Sequence, residues 1–541
     1  MKNGDGGNIR LTNSLRTFSV RGGAAARDFF LRLAVVPSRN TLILLAIFLI
    51  WAVLVGLGIW RHEFWRDEAR ALSLALEAKS LWSVPATVQG EGHPAMWYLL
   101  LWGAYGVLHV KAVLPIMAAA VAAMAIAVFL WRAPFPWWYK ALFVFSGAPL
   151  YEYSISARNY GLSMLFMFLF AAAYASQRRS PLLLGAILFL LAQTSVQAAL
   201  LIPFLWLIWF FDWYMERQSG QPPRLLPAIL GTALVLTGIA AAVLTVYPPA
   251  HGGVVEHTVG KMSLADATEL SLTYSGVHFF RTANLPPSLM TLFLYAAIAG
   301  LVSFAPAFLA ALGGLWVTSM FYFLVYPATG FRHEAVFLVF LTVLYWLKFS
   351  NEKNRPPNAP LRPVARFSAR LRFVFPLLLA INCVVGFKAY YADLRQDLSS
   401  SKDIGKLLDS SDTLRSAIVM AEPEHIGEAV AYYADNDMYL VREGKFGRFT
   451  TWGTNSTAEL SLGTVLDKSE TLKVQTGKPV VILMQHVLTD ADADKTFGAG
   501  GYGWSFHYSA DELRDFRAAT KKIATYRQAL TDENVDVYLL E

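Results

Sequence analysis

Charge is scarce in this chain, and cysteine is almost missing. Only 16% of its 541 residues are Asp, Glu, Lys or Arg, where a soluble domain carries about a quarter. An ordinary soluble globular protein is thereby excluded. The one cysteine, Cys383, lies in an apolar run, so the sequence offers neither an intrachain disulfide nor a cysteine-rich metal site. The first 40 residues are polar and basic, without the short apolar run and small-residue cleavage site of a signal peptide. There are no internal repeats, and the one proline-rich stretch is near Pro356-Pro357. A net charge of +7 is not a nucleic-acid signal here, because the basic residues cluster between apolar spans.

What is abundant is apolar surface: 55% of residues are apolar and 14% aromatic. Several runs reach about 20 apolar residues, enough to cross a bilayer as helices. The chain is therefore read as a polytopic α-helical membrane protein. The tail 1–40 holds Lys2, Arg10, Arg16, Arg21, Arg27, Arg32 and Arg39 against Asp5 and Asp28, which makes it cytoplasmic by the positive-inside rule. Spans are expected at 41–60, 112–131, 141–157, 160–176, 181–196, 198–212, 225–246, 289–304, 306–326, 334–348 and 373–391, about eleven in all. The segment 94–110 is read as a helix in the outer interface. This threading puts the basic pair Arg178-Arg179 and the loop Lys348, Lys353, Arg355, Arg362, Arg366, Arg370 and Arg372 inside. Residues 41–391 then form a transmembrane catalytic domain. The polar stretch 392–541, with β-like runs at Ala417–Ala421, Met438–Val441, Val480–Met484 and Val535–Leu540, forms an α/β domain. By parity that domain is outside, in the periplasm beyond a bacterial inner membrane.

With this topology the polar residues that interrupt the apolar runs fall on one face. Asp67 and Glu68 follow the first span in Phe64-Trp65-Arg66-Asp67-Glu68-Ala69-Arg70. Two carboxylates at a membrane boundary are costly to hold there without a role. Glu91 and His93 share Gly90-Glu91-Gly92-His93-Pro94, and Tyr151, Glu152, Tyr153, Arg158, Asn159 and Tyr160 sit at two outer helix ends. Gln193 and Gln197 mark another outer turn, and Arg332, His333 and Glu334 open the tenth span. The residue types suit sugar transfer from a phosphate. A carboxylate can take the proton of an acceptor hydroxyl as it attacks an anomeric carbon. Arginines match phosphate oxygens with paired hydrogen bonds, and histidine adds a donor.

An acidic pair after the first helix, then His93-Pro94 before an aromatic-rich segment, resembles the GT-C membrane glycosyltransferases. These include the protein O-mannosyltransferases and the aminoarabinose transferases that modify lipid A. Ser156-Ala157-Arg158-Asn159-Tyr160 is similar to their Arg-x-Tyr segment. The resemblance covers roughly 40–350. It implies a GT-C fold, Asp67 as catalytic base, and a phosphate-binding basic residue at the position of His93. Ala95 stands where many relatives have a second proline, and the C-terminal domain carries no resemblance.

The expected function is an inverting glycosyltransferase. It would move a sugar from a polyprenyl-phosphate donor to a lipid, glycan or protein acceptor outside the membrane. Asp67 and Glu68 are the catalytic candidates; His93, Glu91, Arg158, Tyr160, Gln193, Arg332 and His333 are the substrate-binding ones. Gln193 and Gln197 are also of the type that hydrogen-bonds between helices. Asp67, Glu68 and His93 are types that ligate a divalent cation, but three such residues do not specify a metal site. Asp490, Asp492 and Asp494 lack the glycine and closing glutamate of a calcium loop and read as a solvated loop. A ligase or polymerase of lipid-linked glycans shares the polytopic plan. A lipid or sugar flippase needs broken, charged helices at mid-membrane.

Overall fold

The computed structural model describes residues 41–177, 180–218, 225–248, 262–280, 285–326, 330–353, 363–453, 455–499 and 503–541. The basic tail 1–40, the pair Arg178-Arg179, and Arg355, Pro356, Pro357 and Arg362 of the basic loop lie outside the described residues.

The helices run α1 (Thr41–Arg61), α2 (Arg66–Glu77), α3 (Met96–Leu108), α4 (Val113–Arg132), α5 (Trp137–Val144), α6 (Tyr160–Gln177), α7 (Pro181–Ala192) and α8 (Val196–Gln218). They continue as α9 (Leu225–Val246), α10 (Leu264–Thr273), α11 (Ser275–Phe280), α12 (Pro287–Ala299), α13 (Ala305–Leu324), α14 (Phe331–Lys353), α15 (Pro363–Leu371) and α16 (Val374–Arg395). Among the described residues, seven helical stretches are long and apolar enough to cross a membrane: α1, α4, α8, α9, α13, α14 and the α15–α16 stretch Arg366–Arg395. The shorter apolar helices are α3, α6, α7 and α12. This is a multi-pass helical membrane protein.

One expected span is not a helix. The stretch 141–157 divides into the end of α5 and a wide π-type turn, Ala148–Glu152. Pro149 has no N–H to continue an α-helix, and its ring clashes with the preceding turn. Its carbonyl accepts from the buried Trp51 indole at 2.9 Å. The 13 residues of α3 reach about 20 Å at 1.5 Å per residue, short of the roughly 30 Å hydrocarbon core.

Burial separates the centre of the bundle from its rim. In α14, 89% of the apolar stretch is buried, against 22% in α9. Helix α14 is the central rod, packed against α6, α8 and α13, and its first turn carries Arg332 and His333. At the rim, α7 and α9 approach backbone to backbone through Gly185 and Gly231. Small residues allow this, because packing rather than water exclusion joins helices in lipid.

Beyond α16 the chain builds an α/β domain. Its six-stranded sheet has the order β3-β2-β1-β5-β9-β8: β3 (Lys445–Phe446), β2 (Met438–Leu440), β1 (Ile418–Glu422), β5 (Val480–Met484), β9 (Val535–Leu540) and β8 (Lys521–Tyr526). Strand β1 pairs parallel with β2 and β5; β5–β9 and β9–β8 are antiparallel. A three-stranded sheet joins β4 (Glu459–Ser461), β7 (Trp504–His507) and β6 (Thr496–Ala499). Strands β1, β5 and β9 are buried along their length, which is why they read as mainly apolar runs, with Glu422 ending β1 and Asp536 inside β9. Successive side chains face opposite ways. Met420, Ile482 and Leu540 join one core, and Val419, Leu483 and Val537 the other.

A Cβ added at Gly231 would stand 2.5 Å from the carbonyl oxygen of Pro181. Gly231→Val must push α7 and α9 apart, at about 1–3 kcal/mol. Thermal unfolding of the detergent-purified protein should show a lowered midpoint. Gly103→Ala, whose Cβ meets nothing within 4 Å, should leave the midpoint unchanged or slightly raised.

Candidate active site

The segment after α1 cannot continue as a spanning helix, because His62, Glu63, Arg66, Asp67 and Glu68 are all polar. It turns and restarts as α2, an amphipathic helix with Asp67 and Glu68 in its first turn. Carboxylates there face the positive end of the helix dipole. The two then part company. The Glu68 side chain has no exposed surface, whereas that of Asp67 is 30% exposed.

Glu68 is wholly occupied. Its Oε1 accepts from the Ala157 backbone N–H at 2.6 Å, and its Oε2 reaches back to the Trp65 N–H at 3.3 Å. His62 Nε2 donates to it at 3.0–3.1 Å, while His62 Nδ1 donates to Asp393 of α16 at 2.7 Å. Glu68 thus ties its own helix to the residue just before Arg158. Burial alone would push the imidazole of His62 down, but Glu68 and Asp393 raise it to about 10. His62 is a cation between two carboxylates.

Asp67 is gripped from two other elements. Arg332, at the start of α14, donates from Nη2 to Asp67 Oδ2 at 2.8 Å. Arg158, two residues before α6, lies 3.4 Å from the same oxygen and donates to the Asp67 backbone carbonyl. Arg158 Nη2 also donates to His93 Nε2 at 3.1 Å. The Arg332 guanidinium lies 4.8 Å from the centre of the Trp65 ring, with Arg66 at 5.1 Å. The Tyr160 ring meets His93 and His333 edge-on, at 5.8 and 5.4 Å, and stacks near Tyr153 at 5.8 Å. The Tyr153 hydroxyl donates to the Arg332 carbonyl at 2.7 Å. The first turns of α2, α6 and α14 therefore meet at one place. Helix N-termini and guanidinium groups both favour an anion there. The Arg332 Nε, buried and without a hydrogen-bond partner, is a donor left over for one.

The structure brings Asp67, His93, Arg158, Tyr160, Arg332 and His333 together. His333 accepts from the Gly330 N–H on Nδ1 at 3.0 Å and so caps its own helix. Three other candidates are engaged elsewhere. Glu68 is turned into the His62–Asp393 pocket. Both Glu91 carboxylate oxygens accept from Arg70, at 2.8 and 2.6 Å. Gln193 donates across the helix pair to the Gly238 carbonyl at 2.7 Å. Among the described residues no three His, Cys, Asp or Glu side chains converge as metal ligands. Asp67 faces arginines, and the Glu68 oxygens are taken by His62 and the Trp65 and Ala157 N–H groups.

Among solved structures the chain is similar to ArnT from Cupriavidus metallidurans bound to undecaprenyl phosphate. The identity is 12% and the TM-score 0.48, over 92% of this chain and 97% of that chain. No family model and no curated protein matches it.

Sequence reasoning missed His62, Arg70 and Asp393. The first two stand five residues before and three after Asp67, close enough to be read as its neighbours. Asp393 sits 331 residues from its partner His62, and no local spacing marks it.

The charges set the protonation states. Burial would raise the carboxyl of Asp67, but Arg158, Arg332 and Arg66 hold it well below the usual carboxylate range. Burial, reinforced by Arg158, pushes His93 down to about 3, so it is neutral and accepts from Arg158. The raised His62 predicts a stability effect of definite sign. Its contribution is complete below the unfolded value of about 6.5 and is lost as pH rises towards about 10. Melting wild type and His62→Gln in detergent from pH 6 to 10 should show a gap that is widest at pH 6 and narrows with alkalinity.

Proposed function

We propose that the chain is an inverting glycosyltransferase that uses a polyprenyl-phosphate sugar and acts at the outer, periplasmic face of the bacterial inner membrane. The observation that carries this reading is one partly exposed carboxylate, Asp67, held by two arginines from the starts of two membrane helices. Asp67 takes the proton of the acceptor hydroxyl. The acceptor oxygen bonds to the anomeric carbon as the bond from that carbon to the phosphate oxygen breaks. Polyprenyl phosphate leaves with the electron pair, and Arg158 and Arg332 bind the charge that develops on it. Glu68 has no free oxygen for a second, nucleophilic role, which favours single displacement with inversion.

The same arginines serve both ends of the reaction. Paired with them, Asp67 is a weak base, since its proton affinity is depressed. A donor phosphate competes for the guanidinium donors. As it takes them, the carboxylate regains basicity beside a bound donor. The open rim of Asp67 faces the acceptor, which is a lipid, glycan or protein group. A flippase is disfavoured, because these charges gather at helix ends rather than in mid-span helix breaks.

Asp67→Asn keeps size and removes the base. Transfer from a polyprenyl-phosphate sugar, followed by mass spectrometry of the products, should fall by about 10²–10⁴-fold with donor binding kept. Full activity in this variant rules out the assigned base.

Arg158→Lys and Arg332→Lys keep the charge but lose the forked geometry. Each should raise the donor KM, lower kcat, or both. Wild-type kinetics in the two would leave the phosphate without these ligands. Since Asp67 is ionised and His93 neutral well below pH 5, kcat/KM should show no acid limb from either between pH 5 and 8.

Orientation has its own measurement. Reporter fusions at residues 20 and 450 should report opposite sides of the membrane, with residue 450 outside.

A further inference from the structure

The C-terminal domain touches the candidate site at Arg70 of α2. Arg70 lies three residues after Asp67 on α2, so both fall on one helix face. Its Nε and Nη2 donate to the two carboxylate oxygens of Glu91 at 2.8 and 2.6 Å. Its Nη1 donates to Glu428 at 2.7 Å, and Nη2 also donates to the Thr450 carbonyl at 2.8 Å. The guanidinium lies 5.5 Å from the centre of the Phe449 ring. Glu428 in turn accepts from the Thr450 N–H at 2.8 Å. The side chains of Arg70, Glu91 and Glu428 are 12, 18 and 2% exposed.

Three parts of the chain meet in that one group. Helix α2 carries Asp67. Glu91 stands two residues before His93, in a turn whose flanking Gly90 and Gly92 have φ of +86° and +75°, angles that favour glycine. That turn sends the Glu91 carboxylate back to Arg70 while His93 goes to Arg158. Glu428 and Thr450 belong to the C-terminal domain. A guanidinium alone has the five donors in a plane needed for this; a lysine ammonium cannot fork.

We propose that Arg70 is a positioning residue that sets the spacing of Asp67 and His93, and that Glu428 makes the C-terminal domain a working part of the active site. The catalytic consequence rests on the glycosyl-transfer reading; the mechanical coupling does not. The domain holds α2 at further points. Arg66 donates to Asp532 at 2.5 Å, its backbone N–H to Glu533 at 2.7 Å, and the Phe64 N–H to the Tyr433 hydroxyl at 2.7 Å. Those contacts pin the start of the helix. Arg70 is the one that also reaches the His93 turn.

The test uses the full-length protein with Glu428→Gln, which keeps volume and removes one charge, and with Arg70→Lys. Hydrogen exchange is read on peptides covering 64–77 and 90–98, and kcat and donor KM are measured per folded molecule. In both variants the two peptides should exchange faster together, since Glu428 and Glu91 are joined through the Arg70 guanidinium. The kcat should fall by about 10–100-fold, as small misplacements of reacting groups do, with donor KM moved much less. A merely structural role predicts fewer folded molecules but normal turnover in each. Unchanged exchange in the 90–98 peptide, or turnover per folded molecule within about twofold of wild type, overturns the proposal. A wild-type chain inert towards every polyprenyl-phosphate sugar, with both peptides loosened in the variants, sinks the glycosyl-transfer reading and upholds the coupling.

Discussion

A carboxylate sealed from water must have its oxygens satisfied, and Glu68 meets that demand in a way that fixes the whole site. Its partners come from the end of α1, the start of α2 and the loop before α6, with α16 one bond further on through His62. Removing any one leaves a buried charge short of a partner, at a cost of several kcal/mol. That cost locks four elements into a single arrangement. Asp67, next along the helix, then has one direction left, towards Arg158 and Arg332. The acidic pair therefore divides its labour: one member holds, and the other stands at a partly exposed rim.

The arginines divide theirs too. In this structure they neutralise Asp67, which makes a carboxylate tolerable at a membrane boundary. In the proposed reaction they would neutralise a phosphate. One pair of cations can do both because both partners are anions of similar size, competing for the same donors.

Much of this was legible in the sequence, and the exceptions have physical causes. Long apolar runs gave the spanning helices, and fully buried strands such as Val480–Met484 gave themselves away by unbroken apolarity. Charge parity places Asp67, His93, Arg158, Arg332 and His333 on one expected face, and the fold brings them together. Composition alone hid the break at Pro149, since 141–157 is apolar enough to pass for one helix. Glu91 and Gln193 looked like ligand groups because charge parity predicts a residue's side of the membrane but not its direction. Their partners, Arg70 and the Gly238 carbonyl, appear only on folding. Strands β3 and β4, two and three residues long, are too brief to show any period.

The ties between α2 and the end of the chain also bear on how the protein is made. Helix α2 is synthesised early, yet Arg70 waits 358 residues for Glu428, and the Arg66 backbone waits 467 for Glu533. At roughly 5–20 residues per second, that delay is tens of seconds at the ribosome. Over that interval the first helices are made while the segment bearing Asp67 lacks these clamps. Strand β9 begins two residues after Glu533. Until those partners are made, the helix bearing Asp67 is tied to the bundle through Glu68, by its bonds to His62 and to the Ala157 N–H.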